Sequence, residues 1–224
     1  IKLGAKKGAV MCFKFVLSFL FPQKCVLCKE NYGEVICQKC FRRLKKYEKV
    51  QVIKFKKKNL DFLIYFFKYE KLIRKLMLQY KFSNKPVISE VFSKIILKNE
   101  NICGKLKFYD IIISVPMNNE KKSSRGYNQT ELFSKQIADN LKIKYEKTDL
   151  IKVVNNKRQS SLKLTERKNN VKDVFKVPSK EKIQNKNIIL IDDIYTTGAT
   201  LEECAKVLKE AGAKSVLGLV IAKD

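Results

Sequence analysis

No histidine and no tryptophan occurs anywhere in the chain. The first absence removes every mechanism built on an imidazole base, a Cys-His pair or a His-ligated metal, so chemistry must rest on carboxylates, lysines, arginines, backbone amides or bound ions. Acidic residues are scarce as well: 22 Asp and Glu face 48 Lys and Arg, giving a formal net charge of +26. A field of that sign attracts nucleic acid, anionic lipid or phosphorylated small molecules without choosing among them. Lys, Ile and Asn are abundant together, which also fits an AT-rich coding sequence, so the charge by itself names no partner. Internal repeats and low-complexity tracts are lacking too.

No apolar run is long enough to span a bilayer. Residues 10–21 (VMCFKFVLSFLF) are apolar apart from Lys14 and Ser18, but the stretch is too short for a membrane helix, and the FPQK that ends it offers no small-residue cleavage site. A buried or docking helix is expected there, and no integral membrane segment. Met11 offers an alternative start, which would set residues 1–10 aside.

What is present is a globular composition. The chain has 224 residues, 45% of them apolar and 31% charged, enough to bury one α/β core with a small appendage. Seven cysteines, four of them between Cys25 and Cys40, suit a reducing cytoplasm and a metal better than a secreted disulfide framework. The expected organisation is a tail and apolar helix over 1–22, a cysteine module over 23–50, and an α/β domain over 51–224. The lysine-rich stretch 42–58 reads as a solvated connector with the boundary near residue 50.

Beyond it, residues 62–67 form an apolar run of strand length. Residues 71–82 carry Leu72, Leu76 and Tyr80 at helical spacing. Residues 110–115 (DIIISV) read as a strand closed by Pro116, residues 129–141 as a helix burying Leu132, Phe133, Gln136 and Ile137, residues 187–191 (NIILI) as a second buried strand, residues 199–211 as a helix, and residues 215–222 as a third strand. Apolar strands alternating with helices imply a parallel sheet covered on both faces.

The most informative segment is IILIDDIYTTGAT, residues 188–200. Four aliphatics end in two adjacent acids, and ligands of open parallel sheets sit outside the carboxyl ends of strands. The following loop, Thr196, Thr197, Gly198, Ala199 and Thr200, offers hydroxyls and backbone N–H groups at a helix start, where the dipole favours an anion. Each half alone is compatible with a plain strand end and a plain helix cap. Together they resemble the motif by which type I phosphoribosyltransferases bind 5-phosphoribosyl-1-pyrophosphate (PRPP). The resemblance implies that Asp192 and Asp193 face the ribose hydroxyls as the catalytic acids, that Tyr195 belongs to the PRPP-binding set, that residues 196–200 hold the 5-phosphate, and that Mg²⁺ bridges ribose and pyrophosphate oxygens.

A second strand end should hold the pyrophosphate. Pro116 and Met117 open a loop that carries Lys121, Lys122, Arg125, Gly126, Tyr127 and Asn128, supplying cations, a flexible glycine and amide donors.

Cys25-Val-Leu-Cys28 and Cys37-Gln-Lys-Cys40 are two C-x-x-C pairs separated by eight residues. Each pair can chelate one side of a tetrahedral ion, and four thiolates leave no open position, so a structural Zn²⁺ is expected. Two disulfides are the alternative. Cys103 and Cys204 stand apart from the cluster, Cys204 on the buried side of the last helix.

The whole order of blocks resembles the ComF family of competence-associated proteins: FPQKCVLC with ICQKC, YEKLIRKLMLQYKF, SVPMNNEKKSSRGYNQTE, RQSSLKLTERKNNVKDVF and LIDDIYTTGAT. That resemblance implies a phosphoribosyltransferase-type, Rossmann-like α/β fold with an N-terminal zinc module. It implies a role in natural transformation, handling incoming single-stranded DNA together with DNA-uptake proteins. It also makes residues 158–175, with Gln159 and Arg167, the mobile loop that closes over PRPP.

Two functions follow. One is a PRPP-binding protein that grips single-stranded DNA through its basic surface, where Phe41, Tyr47, Phe55, Tyr65 and Tyr69 interleave with lysines and either stack bases or pack into the core. The other is an active phosphoribosyltransferase whose acceptor is unidentified. A glutamine-dependent amidophosphoribosyltransferase needs a glutaminase domain, for which the residues before the cysteine module leave no room.

Overall fold

A computed structural model of the chain describes residues 24–83, 85–118, 123, 126–147, 149–153 and 173–224. The apolar stretch 10–21 lies outside the described residues. Two compact units divide between Lys46 and Tyr47, four residues before the boundary expected from composition.

In the smaller unit a short knuckle carries the first cysteine pair, and α1 (Gln38–Lys45) carries the second. In the larger unit β1 (Glu48–Lys54) and β2 (Phe62–Lys68) lead to three helices, α2 (Lys71–Phe82), α3 (Ile88–Leu97) and α4 (Glu100–Leu106). Then follow β3 (Ile111–Ser114), α5 (Gln129–Leu141), β4 (Lys144–Glu146), β5 (Ile151–Lys152), β6 (Phe175–Lys176), β7 (Asn187–Tyr195), α6 (Ala199–Glu210) and β8 (Ser215–Lys223). No described helix is long and apolar enough to cross a membrane.

Six strands form one sheet in the order β1-β2-β8-β7-β3-β4, parallel throughout except for the antiparallel β1 at one edge. The lysine-rich stretch that composition marks as a connector thus holds the end of α1 and all of the edge strand β1. An edge strand needs only one packed side: Val50 and Ile53 are half-buried while Lys49, Gln51, Val52 and Lys54 face water. Lysines on such an edge discourage pairing with another chain.

The crossovers decide where a ligand can sit. From β3 the chain passes through α5 to β4 on one side, and from β7 through α6 to β8 on the other. Connections leaving neighbouring strands in opposite directions open a crevice at the carboxyl rim between them. In β7, Ile188, Ile189, Leu190 and Ile191 are all fully buried, as the central position demands. Ile188 and Leu190 join the core under α6 with Leu201, Cys204, Ala205 and Leu208.

The other face is covered by α2, α3 and α5. The buried stripe of α2 is Ile73, Leu76, Met77 and Tyr80, one residue round from the Leu72 position expected. On α5 the buried residues include Phe133, Ser134, Ile137 and Ala138, with Leu132 and Gln136 only half-buried. Gln136 accepts from Ser93 Oγ (2.7 Å) and donates to Ser89 Oγ (3.0 Å), so a polar clamp joins α3 to α5 within an apolar layer. A paired amide there avoids the cost of an unmade hydrogen bond.

Candidate functional site

The β7 strand runs on through the acids to Tyr195, beyond the five residues expected. Successive side chains on a strand point to opposite faces, so the two acids straddle it. Asp192 lies on the α6 side with Ile188 and Leu190, and its charge helps to push the thiol of buried Cys204 up. Asp193 lies on the other side, where its Oδ2 is 2.8 Å from Lys81 Nζ at the end of α2. The Asp193 N–H donates to Asp192 Oδ1 at 2.8 Å. Burial and the neighbouring Asp193 charge push the Asp192 carboxyl up to about 7, with the Asp193 N–H and Lys81 pulling the other way. This is a position short of positive charge, chemically suited to a hard cation or a hydroxyl-rich ligand.

Next comes the loop of residues 196–200, where the sequence leads one to expect an anion. Gly198 caps α6 with φ 78°, and the Ala199 N–H donates to Thr197 Oγ1 at 3.3 Å. The first turn of this twelve-residue helix opens toward the loop, with its N–H groups and positive dipole end. The Tyr195 ring lies directly beneath, so close that a β-carbon at Gly198 would overlap the Tyr195 hydroxyl. Glycine is required here twice over, by the positive φ and by the ring. The Tyr195 hydroxyl accepts from Lys58 Nζ at 3.3 Å, and that ammonium lies 4.4 Å from the centre of the Phe55 ring. Beside it, Glu202 of α6 accepts from the N–H groups of Asn59 (2.8 Å) and Leu60 (3.3 Å), fastening the β1–β2 turn to the start of α6.

The second strand end sits alongside. Ser114 is in register with Ile191, and the Val115 N–H donates to Ile191 O at 2.8 Å, so the loops after β3 and β7 emerge as neighbours. Pro116 and Met117 are half-buried there, and Gly126 has φ 74°. Tyr127 and Asn128 have partners inside the protein. Tyr127 Oη donates to Tyr80 O (3.0 Å), and Asn128 Oδ1 accepts from the Thr130 N–H (3.0 Å) as the N-cap of α5. Lys121, Lys122 and Arg125 lie outside the described residues, as do Gln159 and Arg167. The strands β5 and β6 pair antiparallel on either side of that last segment.

Three residues at this rim escaped the sequence reading: Lys81, Lys58 and Glu202. Lys81 lies inside the block LMLQYKF, but nothing local to that block points to Asp193, more than a hundred residues away.

Comparison with known proteins meets the same features. Residues 129–223 match the family described as phosphoribosyl transferase domain. Competence protein F of Haemophilus influenzae is 26% identical over 217 residues, covering 95% of this chain and 89% of that protein. The chain is a ComF homologue. Competence protein ComFC of Streptococcus pneumoniae is 31% identical over 150 residues, 67% of this chain and 63% of the relative. DNA utilization protein YhgH of Salmonella typhimurium is 28% identical over 144 residues, 63% of each chain. The fold of this ComF homologue is of the phosphoribosyltransferase type, with the expected parallel-sheet architecture.

The four-cysteine cluster that the ComF resemblance implies is assembled in the smaller unit. Cys25 and Cys28 flank a knuckle in which the Lys29 N–H donates to Cys25 O (2.9 Å) and Lys29 takes φ 69°. Cys37 is the N-cap of α1 and Cys40 lies in its first turn, where the helix dipole favours thiolates. The four Sγ atoms all lie within 4.8 Å of one another, and those of Cys28 and Cys37 are 3.9 Å apart. A tetrahedral Zn–S₄ site has S–S edges of about 3.8 Å, from Zn–S bonds of roughly 2.3 Å, so the donor set fits zinc. Burial opposes the Cys25 thiolate, but the N–H groups of Cys28, Cys37 and Leu27 outweigh it and bring Cys25 down to about 6. Burial and the neighbouring thiols push Cys40 up to about 12.

Proposed function

We propose that this ComF homologue binds PRPP at the carboxyl rim of its sheet and acts in natural transformation, in the cytoplasm, by handling incoming single-stranded DNA. The observation that carries the reading is the acid pair Asp192–Asp193 at the switch point, beside an anion loop that only glycine can close. In this reading residues 196–200 take the 5-phosphate at the N-terminus of α6. Asp192 and Asp193 accept from the ribose hydroxyls, and the loop after β3 receives the pyrophosphate. Mg²⁺, if bound with PRPP, would be held near Asp192 and Asp193 and would supply charge neutralisation. Asp192, with its carboxyl raised to about 7, would be drawn toward its charged form by a cation held beside it.

Zinc on Cys25, Cys28, Cys37 and Cys40 is structural, since four thiolates leave no coordination position for a reaction. The competence and DNA-utilization names of the relatives, with a net charge of +26, support single-stranded DNA as a partner and DNA-uptake proteins as its context. The half-buried aromatics are divided: Phe55 and Tyr65 pack against the core under α6, leaving Phe41, Tyr47 and Tyr69 as the stacking candidates. Gel shifts of single-stranded oligonucleotides over a salt series test this half. Binding that weakens steeply with salt is expected, and no shift at low salt would remove it.

A second reading, transfer of phosphoribose to an acceptor, is favoured by the same rim geometry. It is tested by pyrophosphate release from PRPP over a panel of bases and amines. Release with any one of them would make the chain an enzyme, whereas PRPP binding without release would leave it a sensor.

A further inference from the structure

Lys81 has no part in the motif that defines the anion loop, yet it reaches the acids. Its ammonium lies 2.8 Å from Asp193 Oδ2, with 21% and 16% of the two side chains exposed. Pairs on open surfaces contribute little, because two long side chains must be ordered in water. This one is placed by buried structure. The residue before it, Tyr80, is fully buried, and its hydroxyl donates to Gln129 O at 2.6 Å. The Tyr80 carbonyl, in the last turn of α2, accepts from Tyr127 Oη (3.0 Å) and Gln129 Nε2 (3.4 Å). Carbonyls at a helix end otherwise lack partners. The end of α2 is thereby joined to the start of α5, and the base of Lys81 is fixed at the rim.

An ammonium on a carboxylate oxygen competes with a metal for it, because two cations on one oxygen repel each other. Lysine is a compact charge on a flexible stem, able to change partners while its backbone stays still. We propose that Lys81 is the resident counter-ion of the acid pair: it holds Asp193 in the free protein, yields it to the metal that accompanies PRPP, and then pairs with the pyrophosphate. Metal alone is kept off the site, and metal and PRPP enter together. The proposal rests on the reading of this rim as a PRPP site.

The test uses the full chain and Mn²⁺ as the metal probe, its free ion followed by electron paramagnetic resonance without PRPP, alongside PRPP binding in the presence of Mg²⁺. Lys81→Met should bind Mn²⁺ alone about tenfold more tightly and PRPP about tenfold more weakly, within the range usual for coupled sites. Lys81→Met with Asp193→Asn should lose the gain in Mn²⁺ affinity. Lys81→Gln serves if the methionine variant folds poorly, and Lys81→Arg should behave as wild type toward Mn²⁺. Unchanged Mn²⁺ affinity in Lys81→Met and Lys81→Gln would overturn the exchange, whether or not PRPP binding weakens, and so would a gain that survives Asp193→Asn. A wild-type chain that takes up no PRPP would instead overturn the site reading. In that case tighter Mn²⁺ binding by Lys81→Met would still place Lys81 on a metal position.

Discussion

Tyr195 and Gly198 are fitted to each other. The tyrosine ring fills the space where any other residue at 198 would place its β-carbon, and Gly198 holds φ 78° as the cap of α6. The loop before α6 is therefore shaped from below by a side chain as well as by its own backbone.

Gly198→Ala should cost about 2–5 kcal/mol, the sum expected from a left-handed alanine and an overpacked contact. Calorimetric melting checks the loss, and PRPP binding should fall with it because the loop must lift off Tyr195. A variant as stable as wild type would mean that the ring moves aside freely.

The raised Asp192 carboxyl makes a pH-dependent prediction. Its ordinary value of 3.8 moves to about 7 in the fold, so between these values the unfolded chain releases a proton that the folded chain keeps. The contribution of Asp192 to stability therefore falls as pH rises through this window and is constant above it. Asp192→Asn removes that penalty, so its stability advantage over wild type in urea melts should grow from pH 4 to 7 and then level off. An advantage independent of pH would show that the carboxyl titrates normally.

How much of this was legible in the residues depends on range. The run Ile188, Ile189, Leu190, Ile191 before two acids read as a central strand ending at a rim, because it is short, rich in β-branched residues and turns polar at once. Strand β2 and helix α6 were readable for the same local reasons. Helices α3 and α4 were not expected, since Val91, Phe92, Ile95 and Ile96 bury one broad face whose period is blurred by buried Ser89 and Ser93. The edge strand β1 was hidden by lysines that are there to keep the edge soluble. At the site, the acids and the loop followed from a contiguous motif, whereas Lys81 reaches Asp193, and Lys58 reaches Tyr195, only through the tertiary fold. Tyr127 and Asn128 were expected as ligand contacts. Within the fold they also meet Tyr80 and Thr130, contacts that sequence spacing does not reveal.

The cysteine cluster should hold one zinc per chain, with an affinity that depends on pH. Cys28 and Cys40 are both raised, Cys40 to about 12, so zinc must displace protons from both. Binding that releases at least two protons weakens at least about a hundredfold for each unit of acidification. Competition with a chromogenic chelator at pH 6.5 and 7.5 measures this slope. Cys40→Ala should abolish stoichiometric zinc and speed amide exchange across residues 24–46. Zinc uptake with no pH dependence would contradict the thiol assignments.

The central claim is that the acid pair and the anion loop bind one ligand together. Isothermal titration of PRPP in the presence of Mg²⁺ tests it on wild type and on the Asp192→Asn, Asp193→Asn double variant. The account predicts one site per chain in the wild type and a loss of at least about 2 kcal/mol, some thirtyfold in affinity, in the double variant. Equal affinity in the two proteins, or no heat in either, would contradict it.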